Sequence, residues 1–202
     1  MNFHKAGKMG PVAILALAIP LCAASIKNKE SAPSKDAARL DLVEARVVSV
    51  LRDPEEKGWM VVLAPKSFKF SKSSKSKLKD PAKVLVIGVG ESEGTSILLA
   101  IHNKATIRPL THELFAKVLG RSGVSVVNAL IHTMSDKTFY ARLDLAQNGK
   151  KFSVDCRPSD GISLALRASG KIYVLRKIFE EAGFQWPSPD GAPRGVLREE
   201  PL

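Results

Sequence analysis

The chain is poor in the residues that build several common kinds of protein. Only two of its 202 residues are cysteine, Cys22 and Cys156. That excludes a disulfide framework, and no His/Cys spacing suits zinc. Aromatic residues make up 6 %, and Phe139-Tyr140 is the only adjacent pair, so platforms for stacking single-stranded bases are few. Acidic residues are scarce as well: 20 Asp and Glu stand against 31 Lys and Arg, for a net charge of +11 and a pI near 9.8. A surplus of this size favours an acidic partner, nucleic acid or an anionic membrane surface. The apolar share of 45 % is enough for a core, and the length fits one domain with extensions.

The N-terminus reads as an export signal. Lys5 and Lys8 precede the apolar run Val12 to Ile19, followed by Pro20 and Leu21-Cys22-Ala23-Ala24. The run is shorter than a comfortable span of about 20 residues. Residues 1–24 are therefore expected to be a signal peptide cleaved after Ala24, or a retained N-terminal anchor, which makes the protein exported, periplasmic or secreted. After cleavage Cys156 would be the lone cysteine, expected to be a buried, inert thiol. Residues 25–40 are polar and read as a linker.

From Leu42 the pattern turns periodic. Strands are predicted from Leu42 to Leu51 and over Trp59–Leu63, joined by the Asp53-Pro54 turn. A Lys/Ser tract follows (65–83), expected to be a mobile basic loop in which Lys72, Lys75 and Lys77 can contact phosphate. Val84 to Ile87 reads as a buried strand. Gly88 to Gly94 reads as a turn into a helix from Thr95 to His102. Its glycine spacing fits a dinucleotide turn poorly, and no small-molecule cofactor is expected. A helix is predicted over Thr111–Leu119, with Thr111 as cap, Leu110 and Phe115 as staple, Gly120 as stop, and Leu114, Val118 and Leu119 as its buried stripe. Strands over Val124–Thr133, Thr138–Leu145 and Lys151–Asp155 are linked by a Ser135-Asp136-Lys137 turn and an Asn148-Gly149 hairpin. A helix from Ser159 or Asp160 to Ala168, a short Ile172-Tyr173-Val174 strand and a helix to Ala182 complete the domain, 41–184. The Pro/Gly-rich remainder, 185–202, reads as a disordered tail. The predicted fold is α/β (α+β): one compact domain, a mixed or mainly antiparallel sheet and several packed helices.

Two Arg-Pro turns stand out, Arg108-Pro109-Leu110-Thr111-His112-Glu113-Leu114 and Asp155-Cys156-Arg157-Pro158-Ser159-Asp160. Each puts a fixed cation and a rigid turn ahead of acidic, hydroxyl or imidazole groups at a helix start, where free N–H groups and a partial positive charge gather. Such a place holds a phosphate or positions a carboxylate.

Together with Gly90-x-x-Glu93-Gly94-x-Ser96-Ile97 and Thr138-Phe139-Tyr140-Ala141-Arg142-Leu143, these segments resemble the bifunctional nuclease (DNase/RNase) domain family of bacteria and plants, over about Leu42 to Ala182. The resemblance implies a compact α/β domain, often self-associating, that hydrolyses DNA and RNA. The chain departs from it with Gly94, Ser96, Gly161 and Ser163 where the family usually has alanine, with Lys171 for a common proline, and with the Lys/Ser insertion.

Phosphodiester hydrolysis needs an activated water, stabilised charge on the phosphate oxygens and a protonated leaving oxygen. Glu93, Glu113, Asp155 and Asp160 are the candidate ligands for a divalent metal, Mg or Mn. Arg108 and Arg157 are suited to clamp phosphate oxygens. His112 is a candidate acid or base, with Glu113, Asp160 and Glu93 beside it as catalytic carboxylates. Glu93 and both turns are expected to converge on one cleft. The alternative is a non-catalytic polyanion- or protein-binding module that oligomerises, its turns capped and tied by ion pairs such as Arg108 with Asp160.

Overall fold

The computed structural model describes residues 40–52, 58–68 and 82–186. The signal segment, the linker, most of the Lys/Ser tract with Lys72, Lys75 and Lys77, and the tail from 187 lie outside the described residues.

The described residues form eight strands and four helices in the order β1 (Leu42–Arg52), β2 (Trp59–Pro65), β3 (Ala82–Val89), α1 (Glu91–Ile101), α2 (Thr111–Arg121), β4 (Val124–Ser135), β5 (Thr138–Gln147), β6 (Lys150–Cys156), α3 (Pro158–Arg167), β7 (Lys171–Leu175), α4 (Arg176–Ala182) and β8 (Phe184–Trp186). The strands form one sheet, ordered β6-β5-β4-β7-β1-β2-β3-β8. Every neighbouring pair is antiparallel except β4 with β7. That parallel pair is reached only through β5, β6 and the crossover helix α3.

Turn chemistry builds the hairpins. Asp136 and Lys137 carry φ of 49° and 61°, and Asn148 and Gly149 carry 50° and 77°. These are the left-handed values that two-residue hairpins need, and they set the registers Ser135↔Thr138 and Gln147↔Lys150. Alternation then sends Ala141, Leu143 and Leu145 of β5 into the main core with Ala129 and Ile131 of β4. Ile162, Leu164 and Ala165 of α3, Ile97 of α1, and Ile178 and Phe179 of α4 complete that core. The other face of β1 and β2 feeds a small second cluster, where Leu51, Val62, Ala64 and Val84 lie with Phe68; a register shift in β1 between Val47 and Ser49 changes the alternation, so that Ala45 and Val50 both face the main core. Among the described residues no helix is long and apolar enough to cross a membrane.

Three local expectations change. The helix expected from Thr95 begins at Glu91, capped by Gly90. Glu91 and Glu93 favour the positive end of its dipole, and Gly94 is accommodated inside the helix because Trp59 fills the space a Cβ would take. The apolar stripe of α2 is largely reversed: Leu114, Phe115 and Val118 are about half exposed, while Ala116 and Leu119 pack on the core. This helix also runs through Gly120 to Arg121, and the left-handed glycine beyond it is Gly123, φ 71°. Gln185 and Trp186, read as the start of the tail, continue from Phe184 as β8 and pair with β3.

Candidate functional site

The starts of α1, α2 and α3 meet beside the sheet. The side chain capping neither α2 nor α3 is the expected hydroxyl. Leu110 and Arg157 occupy the cap positions in extended conformation, which makes Thr111 the first residue of α2 and Pro158 the first of α3. Proline suits that place because its fixed φ is already helical and it has no N–H to leave unpaired.

With Arg157 at the cap, its guanidinium folds back over its own helix. Nε donates to Asp160 Oδ2 at 2.9 Å and Nη2 to Asp160 Oδ1 at 3.0 Å. Nη2 also lies 2.7 Å from Glu93 Oε1 on α1. Glu93 Oε2 accepts the Ser92 hydroxyl at 2.9 Å. From α2, His112 Nε2 reaches Asp160 Oδ1 at 3.0 Å, and its Nδ1 lies 3.0 Å from Ser96 Oγ on α1. One continuous polar network, Ser92–Glu93–Arg157–Asp160–His112–Ser96, therefore ties the three helices together. It grades from the surface inward: the side chains of Arg157, Asp160, His112 and Glu93 are 66, 27, 14 and 13 % exposed, and Ser96 is buried at 1 %.

The electrostatics follow from those contacts. Glu93 is held below the usual carboxylate range chiefly by its own backbone N–H, then against burial by Ser92 and Arg157. At Asp160 burial is the largest influence and works upward, but the bonds from Arg157 and His112 outweigh it and the net shift is downward. Arg157 is raised by Asp160 and then by Glu93. Both carboxylates are thus ionised at neutral pH, with the guanidinium between them. Behind them Cys156 is pushed up to about 12, mainly by burial and then by Asp160. From the sequence a buried, inert thiol is expected; Cys156 is partly buried, and the upward shift disfavours the reactive thiolate.

Not every candidate joins this cluster. Glu113 turns the other way: its Oε2 accepts the Leu110 N–H at 3.1 Å and the Thr106 hydroxyl at 3.2 Å. It faces an open groove of about 790 Å³ between α1, α2, β4 and the end of α3, shared with Arg167. Arg108 is exposed, and its carbonyl accepts the Thr106 hydroxyl. The partner of Asp160 is Arg157, not Arg108. Asp155 is exposed on β6, opposite Arg142. The four carboxylates named for a divalent metal therefore do not converge. Among the described residues no group of three or more His, Cys, Asp or Glu side chains could hold a metal ion, and Glu93 and Asp160 already share a cation. As arranged, this donor set does not fit Mg²⁺ or Mn²⁺.

Sequence reasoning missed Ser96 and Arg167. Arg167 donates to the carbonyls of Ser96 and Ser163, at 2.8 and 3.1 Å, and so staples α3 to α1. Ser96 stands three residues after Glu93, a spacing that puts both on one helix face. That spacing was the available signal.

Comparison with known proteins follows the same segments. The chain is 34 % identical to an uncharacterized protein of Mycobacterium tuberculosis over 120 residues, which is 58 % of this chain and 71 % of that one. It is 31 % identical to bifunctional nuclease 1 of Oryza sativa subsp. japonica over 117 residues, covering 56 % of this chain and 35 % of the rice protein. The bifunctional nuclease of Oryza minuta matches to the same extent. The two rice nucleases support a nuclease-type function. The bifunctional nuclease domain pattern matches residues 77–187, more than half the chain and the stretch that carries all three converging helices; the chain belongs to the bifunctional nuclease domain family.

Proposed function

We propose that this chain hydrolyses phosphodiester bonds of DNA, RNA or both with low sequence specificity. The observation that carries the reading is Arg157: an exposed cation clamped by two ionised carboxylates where three helix N-termini meet, with an imidazole bonded behind. A phosphate approaching the outer edge of Arg157 finds positive charge from the guanidinium and from the helix ends. Asp160 beside it accepts a proton from the attacking water, and the new O–P bond forms as the opposite ester bond breaks. The same proton then passes to the leaving oxygen. His112 Nε2–H supports the carboxylate through both transfers. Glu93 fixes the other side of Arg157. Arg108 and the lysine tract, Lys72, Lys75 and Lys77 included, gather the polyanion through salt-dependent, sequence-independent attraction.

The test is cleavage of single- and double-stranded DNA and RNA by the full chain, with Mg²⁺, Mn²⁺ or EDTA, beside Asp160→Asn and Arg157→Met. Loss of cleavage in both variants while they remain folded supports the assignment. Cleavage unchanged in both refutes it.

A second reading, a binding module that oligomerises, is favoured by the outer face of α2. Leu110, Leu114, Phe115 and Val118 lie half exposed there, beside a fully exposed Ile107, an apolar strip of the kind that marks association surfaces. A concentration series in light scattering, with and without Leu114→Asp, tests it. A mass of one chain at every concentration excludes self-association.

A further inference from the structure

We propose that Ser96 is a positioning residue for His112. Its buried hydroxyl occupies Nδ1 and so keeps Nε2–H aimed at Asp160 throughout the reaction. The inference rests on the nuclease reading for its kinetic consequence only; the geometry stands apart from it.

The argument begins with Asp160. An ionised carboxylate only accepts hydrogen bonds, so the ring nitrogen 3.0 Å from Oδ1 carries a proton. Neutral His112 is then the Nε2–H tautomer, and its Nδ1 offers a lone pair. That lone pair points into the protein, because Ser96 Oγ, 3.0 Å away, belongs to a residue only 1 % exposed. Water does not reach this side of the ring freely, and a buried polar nitrogen without a partner is costly. A hydroxyl is the side-chain group that meets the need in either protonation state. It donates to Nδ1 when the ring is neutral, and when the ring is cationic it accepts from Nδ1–H and turns its own proton to the carbonyl one helical turn back.

Ser96 is itself held. Its carbonyl takes Arg167 Nη2 at 2.8 Å, and the same guanidinium binds the Ser163 carbonyl of α3, the helix that carries Asp160. The hydroxyl that fixes one end of the imidazole and the carboxylate that fixes the other thus sit on two helices joined by Arg167. The ring spans a gap of set width, and turning it over would break both bonds at once. None of this gives Ser96 a nucleophilic role, since at 1 % exposure it is sealed from any substrate.

The hydroxyl is separated from its volume by an isosteric pair. Ser96→Thr keeps the hydroxyl, whereas Ser96→Val replaces it with a methyl group of the same shape; Ser96→Ala removes it without adding bulk. The first readout is the ¹⁵N spectrum of the imidazoles in the full chain, with His112 assigned by its loss in His112→Asn. In the unsubstituted protein the neutral ring shows Nε2–H and a hydrogen-bonded Nδ1. In Ser96→Ala and Ser96→Val the Nδ1 resonance moves to the position of a free lone pair, and in Ser96→Thr it stays. The second readout is cleavage rate: Ser96→Ala and Ser96→Val lower it roughly tenfold at saturating substrate with little change in KM, and Ser96→Thr recovers it. An Nδ1–H tautomer in the unsubstituted protein, or an Nδ1 resonance that ignores loss of the hydroxyl, overturns the proposal. If no protein cleaves but the spectra behave as stated, the nuclease reading fails and the positioning role stands.

Discussion

Arg157→Met is the perturbation that the site geometry specifies most fully. The side chain keeps its length and apolar stem but loses three charged contacts, of 2.7, 2.9 and 3.0 Å. Charged hydrogen bonds contribute about 1.5–3 kcal/mol each when well formed. The guanidinium is 66 % exposed, however, and at such a surface solvent screening leaves only a fraction of that. A net loss of about 2 kcal/mol at pH 7 is expected, or about 4–8 °C in Tm for a domain of this size. Its pH dependence identifies the cause. Glu93 and Asp160 are lowered in the folded state, so their contribution is complete above their unfolded values near pH 4 and fades as pH falls through the lower, folded values. Removing the cation strands two neighbouring anions at neutral pH and strands nothing once both are protonated. The destabilisation is therefore largest at pH 7 and shrinks below about pH 4. Urea denaturation followed by circular dichroism, for both proteins at pH 7, 5 and 3.5, reads this directly. A difference in stability that is the same at all three values, or absent at pH 7, refutes the reasoning.

Other substitutions probe the frame around the site. Gly94→Ala drives a Cβ into the Trp59 side chain; a loss of about 1–3 kcal/mol is expected, with a changed tryptophan emission spectrum. Lys137→Gly relieves a φ of 61° at the β4–β5 turn and is expected to raise stability by about 0.5–1 kcal/mol by calorimetry. In a Cys22→Ser background, Cys156 is expected to resist a thiol reagent at pH 8 until urea is added, because burial pushes its thiol up to about 12. Leu114→Ser is expected to cost under about 0.5 kcal/mol in denaturant melts, while Leu119→Ala, which faces the core, costs at least about 1 kcal/mol.

Much of this was legible in the chain. The Asn148-Gly149 hairpin, the alternation in β5 and the two Arg-Pro helix starts report local preferences, which survive folding. The ion pair expected for Asp160 is with Arg108; its partner is instead Arg157, three residues before it across the same helix start, because both groups lie on one short segment. What sequence did not reveal depends on a third partner. His112 and Glu113 are neighbours on α2, yet one turns toward α3 and the other toward its own cap, a choice made by the packing of α2 rather than by either residue. The same holds for the apolar side chains of that helix: it carries enough of them for two faces, and periodicity alone does not say which face the sheet takes. Ser96 was passed over because a serine inside a helix reads as inert until the imidazole 16 residues later is seen against it.

The place of β7, parallel to β4 and antiparallel to β1, also sets an order of events. Strand β1 lies between β2 and β7, so one of its edges must wait until nearly the whole domain has emerged, and Arg176 reaches back 135 positions to Asp41. Contacts of such separation are slow to form, because the loop they close is costly before it is rewarding. Helix α3 crosses over in that last step, bringing Arg157 and Asp160 onto α1 and α2. During refolding, appearance of the assembled network should therefore coincide with the final closure of the sheet, and hairpins β4–β5 and β5–β6 should precede it. Until then β1 presents an unpaired edge, the stage at which this chain is most exposed to misassociation.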